Sequence, residues 1–236
     1  MKAALFSVIT IVSIASAPSL ARDQIHIVST PSDFRFTTMV GEYFARSYHQ
    51  PVPLVERRSA STAVKYFCAG VGRQHPDVVG LARPLQVREL DRCQESGVKR
   101  VTEIKFGYDG VFEQISRTYD DALRDVASSR RVTAILPYTV FEQNAHRIAA
   151  HPIEGVVPDE VTIAMNSYPV TCPLYLYVKL AHYDRVPGIL EFVAEYTSDR
   201  AWGPEGYLTD SGLVPLSHRD RIDQRANAIG LNPILR

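Results

Sequence analysis

Glu56-Arg-Arg-Ser-Ala-Ser-Thr-Ala-Val-Lys-Tyr-Phe-Cys-Ala-Gly70 is the stretch that decides how this chain is read. It opens with small hydroxyl residues suited to a turn and runs into an apolar segment suited to a helix. A helix that starts this way leaves several backbone N–H groups without intrahelical partners. With the helix dipole behind them, those groups form an anion-binding end.

Working outward, the flanking sequence repeats one pattern. Gln24–Val28 alternates and is β-branched, so it reads as a strand. Ser29–Asp33 is a turn with a candidate N-cap, and Phe34–His49 carries Phe36, Val40, Tyr43 and Phe44 at helical spacing. Pro51–Val55 is a second strand and Ser59–Val71 a second helix. Asp77–Leu81 is a third strand, ended by Ala82-Arg83-Pro84, and Val87–Glu95 is a third helix closed by Gly97. Thr102–Phe106 begins a longer strand running into Gly107–Val111. Strand and helix alternating three times predicts an α/β fold with a parallel-type sheet. In such sheets ligands gather beyond the carboxyl ends of the strands. Ser29–Asp33, Ser59–Thr62 and Ala82–Arg83 all fall at that rim.

The second half reads less regularly. Tyr119–Ala127 and Thr139–Ile148 are expected as helices, Val132–Leu136 and Asp159–Met165 as strands, and Pro173–Lys179 as a central strand. Val186–Thr197 is an amphipathic helix with Pro187 in its first turn. Ser217–Ile229 is a last helix with a charged face.

Composition sets the outer bounds. The chain has 236 residues, 45% hydrophobic and 22% charged, long enough for one large or two small lobes. Its formal net charge of zero speaks against a broad nucleic-acid-binding surface. Met1–Ala21 reads as a signal peptide, with Lys2, a short apolar run and Ser19-Leu20-Ala21 at the cleavage site. Export permits disulfides. Of Cys68, Cys93 and Cys172, an odd set, the first two lie on consecutive helical segments and are the expected pair. Cys172 is expected as a free thiol.

Several strings along the mature chain resemble the periplasmic phosphate-binding proteins that serve ABC phosphate transporters. They are Phe67-Cys-Ala-Gly-Val-Gly72, His75-Pro-Asp77, Ala82-Arg-Pro-Leu85, Phe106-Gly-Tyr-Asp-Gly110 and Tyr168-Pro-Val170. They continue with Pro173–Lys179, Phe192–Ser198, Ala201–Leu208 and Gly212–Leu216. The resemblance implies a type II periplasmic-binding-protein-like fold with one complete lobe, 22–107 and 170–236, and a reduced second lobe, 108–169. The hinge strands would lie near Phe106–Val111 and Tyr168–Leu176. It implies a periplasmic solute-binding protein that is no enzyme and needs no cofactor. Such a protein captures inorganic phosphate or a related oxyanion as a monomer and hands it to an ABC permease.

Two departures accompany the resemblance. The family's Ser-Gly-Thr-Arg-Asp-like clamp from the second lobe is reduced to Ser116-Arg-Thr-Tyr-Asp120. Its Gly-rich turn is replaced by Arg58-Ser-Ala-Ser-Thr62, with Ala60 where a hydroxyl ligand falls and Ala82 where a polar residue is expected before Arg83. The alternative function is therefore a truncated, non-transporting paralogue.

Metal-free oxyanion recognition needs neutral N–H and O–H donors with few counter-charges. Ser32 with the N–H of Asp33 matches the family's first contact. Ser59, Ser61 and Thr62 supply hydroxyls and N–H groups at the second, and Arg83 supplies a planar fork. The serines also fit plain helix caps, and Arg83 also fits an ion pair. No His-Glu-x-x-His, Cys-x-x-Cys, nucleophile-elbow or P-loop spacing occurs, so neither a metal site nor catalysis is expected.

Overall fold

The computed structural model describes residues 23–109, 119–129, 138–165, 167–169 and 171–234. The first half follows the alternating pattern. The elements are β1 (His26–Ser29), α1 (Pro31–Tyr48), β2 (Leu54–Arg57), α2 (Ala60–Phe67), β3 (Val78–Leu81), α3 (Val87–Glu95) and β4 (Val101–Asp109). Beyond them lie α4 (Tyr119–Ser128), α5 (Tyr138–Gln143), α6 (Glu160–Ala164) and β5 (Cys172–Lys179). After β5 come a short 3-10 turn (Leu180–His182), α7 (Ile189–Tyr196), α8 (Asp199–Trp202), α9 (Tyr207–Asp210) and α10 (His218–Ile229).

The five strands form one sheet in the order β2-β1-β3-β5-β4. β1 runs parallel to both β2 and β3. β5 runs antiparallel to β3 on one side and β4 on the other, so β4 shares the direction of the first three. The sheet is thus mostly parallel, with one reversed strand wedged near its middle.

Both faces are covered. Ile27, Val78, Leu174, Leu176 and Val178 point to a core with Phe36, Val40 and Phe44 of α1, Phe192 and Tyr196 of α7, and Trp202. Val28, Val79, Leu81 and Tyr177 point the opposite way, toward Ala63, Val64 and Phe67 of α2 and Cys93 of α3. A strand alternates faces residue by residue, so near-continuous apolar strands serve both layers. Each fully buried large apolar side chain contributes about 1.5–3 kcal/mol.

A buried polar anchor fixes β5 from its far end. Lys179 is fully buried; its Nζ donates to the Gly70 carbonyl at 2.7 Å and lies 4.8 Å from the Phe67 ring centre. The neighbouring His182 bonds Asp77 Oδ1 at 2.6 Å and the Val71 carbonyl at 2.9 Å. Asp77 also accepts the His26 N–H at 2.7 Å. The Gly70–Asp77 loop is therefore tied to β1 and β5 together. Gly70 has φ +154°, and a β-carbon there would lie 2.9 Å from the His75 ring, so the position requires glycine.

Cys68 and Cys93 form a disulfide joining the end of α2 to α3, and Cys172 is a free thiol, both as the sequence suggests; Cys172 is buried. Burial, with Asp109 nearby, pushes the Cys172 thiol up to about 11, which makes it unreactive.

Two sequence expectations change. Asp159–Met165 is a helix and not a strand. Asp159 accepts the Thr162 N–H at 2.7 Å while Thr162 Oγ1 accepts the Asp159 N–H at 3.0 Å. This reciprocal cap overrides the β-branched pattern of Val161, Thr162 and Ile163. The helix expected over Thr139–Ile148 stops at Gln143, and turn bonds from Asn144 and Arg147 follow. The expected strand Val132–Leu136, the segment Ser116–Thr118 and the signal peptide lie outside the described residues.

Denatured, unreduced protein should titrate one thiol per chain. Reduction should lower the unfolding free energy by about 2–4 kcal/mol in denaturant melts. Three thiols before reduction would contradict the Cys68–Cys93 bond.

Candidate functional site

Strand register gathers the three polar turns. Ser29 stands opposite Arg57 on one side and Gly80 on the other. The Arg58 N–H donates to the Ser29 carbonyl at 2.9 Å, and the Thr30 N–H donates to the Gly80 carbonyl at 3.2 Å. Adjacent strands lie about 4.8 Å apart. The segments Thr30–Ser32, Arg58–Thr62 and Ala82–Arg83 therefore leave the sheet side by side at its carboxyl rim. Because β4 shares this direction, Asp109 ends at the same rim, paired with Cys172 where the chain returns. Arg35 Nη2, from the first turns of α1, lies 3.5 Å from Asp109 Oδ1.

The first turn is built on a capping box that the sequence reading did not identify. Helix α1 begins at Pro31, so its N-cap is Thr30 and not Ser32 or Asp33. The Asp33 carboxylate accepts the Thr30 N–H at 2.8 Å and the Thr30 hydroxyl, and lies 3.3 Å from Thr37 Oγ1. The Thr-x-x-Asp spacing was the available signal. Asp33 is completely buried, packed so closely on β3 that a β-carbon on Gly80 would lie 1.7 Å from its Oδ2. Burial raises its pKa from 3.8 to about 6, against the lowering effect of its hydrogen bonds, Thr30 first. The buried Ser29 hydroxyl lies near this carboxylate but has no partner at hydrogen-bond geometry. Asp33 is thus a structural acceptor beneath the rim. Ser32, one residue earlier, is half-buried, and its hydroxyl has no hydrogen-bond partner among the described residues.

The second turn is the N-terminus of α2. Ser59 is its N-cap, yet its hydroxyl caps no backbone group. It donates to Thr62 Oγ1 at 3.0 Å and lies 3.4 Å from Ser61 Oγ. Three hydroxyls, of Ser59, Ser61 and Thr62, therefore cluster at this helix end. Arg58 is drawn away: its Nη2 donates to Glu56 Oε2 at 2.7 Å, while His26 holds Glu56 Oε1 at 2.8 Å. Arg58, then His26, holds the Glu56 carboxyl below its ordinary range. Arg57 lies with its guanidinium 5.8 Å from the Phe34 ring centre.

The third turn carries Arg83 in a closed fork. Nη1 donates to Glu89 Oε2 at 2.8 Å and Nη2 to Glu89 Oε1 at 2.7 Å; Nη1 also reaches the Pro84 carbonyl. Glu89 is 5% exposed and sits at the third position of α3, where it also accepts the Gln86 N–H at 2.9 Å. The pair holds the Glu89 carboxyl low and the Arg83 guanidinium high, each chiefly through the other. Leu85 fixes the same turn by donating its N–H to Tyr177 Oη at 2.9 Å, and that hydroxyl in turn donates to Glu103.

The rim therefore offers hydroxyls and helix-end N–H groups, with Arg58 and Arg83 each in contact with a carboxylate. Among the described residues no group of three or more His, Cys, Asp or Glu is placed to hold a metal ion, and no helix is long and apolar enough to cross a membrane.

Between pH 4 and pH 7 Asp33 should work against stability. A carboxyl with a raised folded-state pKa favours the fold below its unfolded value, near 3.8, and that advantage disappears as pH rises through about 6. Asp33→Asn cannot ionise. Urea melts should show it gaining about 2–3 kcal/mol on the wild type between pH 4 and pH 7. Parallel pH profiles for the two proteins would mean that Asp33 does not titrate in this window.

Neither a family model nor a curated protein matches the sequence. Solved structures do. One, a possible phosphate binding protein from Planctomyces limnophilus, superposes with a TM-score of 0.71 at 16% identity, covering 89% of this chain and 98% of that one. A putative phosphate ABC transporter substrate-binding protein with bound phosphate from Clostridium perfringens gives 0.57 at 11% identity, covering 82% and 100%. An ABC-type phosphate transport receptor from Vibrio cholerae gives 0.53 at 14% identity, covering 81% and 99%. The chain has the periplasmic-binding-protein-like α/β fold of these phosphate-binding proteins.

Proposed function

We propose that this chain is an exported solute-binding protein that captures phosphate or a similar oxyanion for an ABC importer. The observation that carries the proposal is the meeting of three polar turns at one carboxyl rim, in a fold whose solved neighbours are named for phosphate. Ser32, the N–H of Asp33, Ser59, Ser61, Thr62 and Arg83 are the proposed ligands. Their donors match a tetrahedral oxyanion, and no acceptor is needed to hold a fully ionised one. The protein acts as a periplasmic monomer, delivered by cleavage after Ala21, and is not an enzyme.

The proposed ligand lobe comprises 22–107 and 170–236, and the reduced lobe 108–169. The paired ends Asp109 and Cys172 support a crossing at the two strands β4 and β5. Motion about that crossing would let the smaller lobe close over the rim.

A second reading is favoured by one feature. Ala60 and Ala82 stand where side-chain ligands would fall, and Arg58 and Arg83 are both engaged by carboxylates. A paralogue that no longer transports, keeping the first lobe as an interaction module, would look the same.

Calorimetry of the mature protein with phosphate and sulfate separates the two. A ligand at about 100 times its dissociation constant should add roughly 2.7 kcal/mol of stability in parallel melts. Ser32→Ala and Arg83→Ala should each weaken binding about tenfold, the scale of a hydrogen bond to a charged group. No heat and no melting shift at millimolar concentrations of either anion would favour the non-transporting reading.

A further inference from the structure

We propose that Glu89 is an internal competitor for the oxyanion: its carboxylate holds the Arg83 fork and sets the affinity of the rim. The inference rests on the proposed function and names a control built into the same site.

Three observations carry it. First, the pairing is bidentate, with Nη1 and Nη2 of Arg83 facing the two Glu89 oxygens at 2.8 and 2.7 Å. A planar guanidinium presents that same edge to a carboxylate or to a tetrahedral oxyanion. The two anions therefore need the same donors and exclude each other. Second, Arg83 stands two residues beyond β3, at the same rim as the Ser59–Thr62 turn but one strand removed from it, and remains one-third exposed, whereas Glu89 is only 7% exposed through its side chain. The cation can turn toward the rim while the carboxylate stays in place. Third, the carboxylate is fixed independently of Arg83. It accepts the Gln86 N–H, and α3 is tied to α2 by the Cys68–Cys93 bond one helical turn further on.

Capture of an anion by Arg83 would then require the fork to open and would leave Glu89 held by its backbone donor alone. Opening the fork costs the same whichever oxyanion enters, so Glu89 lowers the affinity of the rim for all of them.

Glu89→Gln tests this, because glutamine keeps an oxygen for the Gln86 N–H and suits the same capping position while losing the charge. Calorimetry with inorganic phosphate at pH 8 should show the variant binding roughly tenfold tighter than wild type, the scale of one charge-assisted hydrogen bond. The gain should vanish in an Arg83→Ala background. Glu89→Asp, which keeps the charge but is one methylene shorter, should give a smaller gain and serves if the glutamine variant does not fold. Loss of a nearby negative charge by itself would tighten binding in the Arg83→Ala background as well, so a gain that persists there overturns the competition. Wild-type binding that is unchanged or weakened in Glu89→Gln overturns the competition and leaves the proposed function standing. Absence of phosphate binding in wild type and both variants overturns both.

Discussion

Insertion of β5 between β3 and β4 is the constraint on which the rest of the structure depends. Without it β3 and β4 have no common neighbour, and the aromatic core under α1 and α7 loses Leu174, Leu176 and Val178. The strand is secured at its end by a fully buried lysine, and such a group is tolerated only where its charge is met. Lys179 finds the Gly70 carbonyl and the Phe67 ring, and Asp77 and His182 join the same loop to the next residues. The reversed strand thus closes the sheet and tethers the loop that follows α2.

The opposite end of the sheet is where the chemistry gathers, and its layout follows from that frame. Parallel strands bring three helix starts to one edge. Asp33, buried on the bare surface of Gly80, shapes the first start from below. Glu56 and Glu89 hold the arginines of the other two. Arg58 and Arg83 are thus held by carboxylates, while the hydroxyls of Ser59, Ser61 and Thr62 contact one another at the start of α2.

The fold was legible because its signals are local. Three strand–helix alternations, Gly97 at the end of α3 and the Ser217 cap of α10 all declare themselves within a few residues. The central place of β5 was legible from its apolar run, but its antiparallel pairing was not, since nothing in Cys172–Lys179 records which segments, some 60 to 100 residues earlier, it joins. Asp159–Met165 was misread because β-branched residues resemble a strand until the Asp159–Thr162 cap is seen. At the rim, residue identities indicated which groups gather but not how they are engaged. Ser32 and the α2 hydroxyls lie where the pattern put them, whereas Arg83 meets a carboxylate six residues away, and Asp33 contributes a buried side chain in addition to its N–H. Thr-x-x-Asp was a readable capping signature for Asp33, whereas Gln86 is not an ordinary N-cap and left Glu89 unmarked.

The two margins of the sheet are unequal. Along β4 several outer backbone groups are occupied: Gln224 accepts the Lys105 N–H, Asn227 donates to the Glu103 carbonyl, and the Ile234 N–H donates to the Val101 carbonyl. β2 is the other margin, four residues long, and it carries Glu56 and Arg57 next to an exposed Leu54. Short, charged margins discourage strand addition. The asymmetry adds a second safeguard. A second copy that paired along β2 would present its own β4 margin outward, where these bonds already engage the backbone, so lateral addition would end with the first partner. Growth into an open filament needs two receptive sides, and among the described residues β2 is the more open of the two sheet margins.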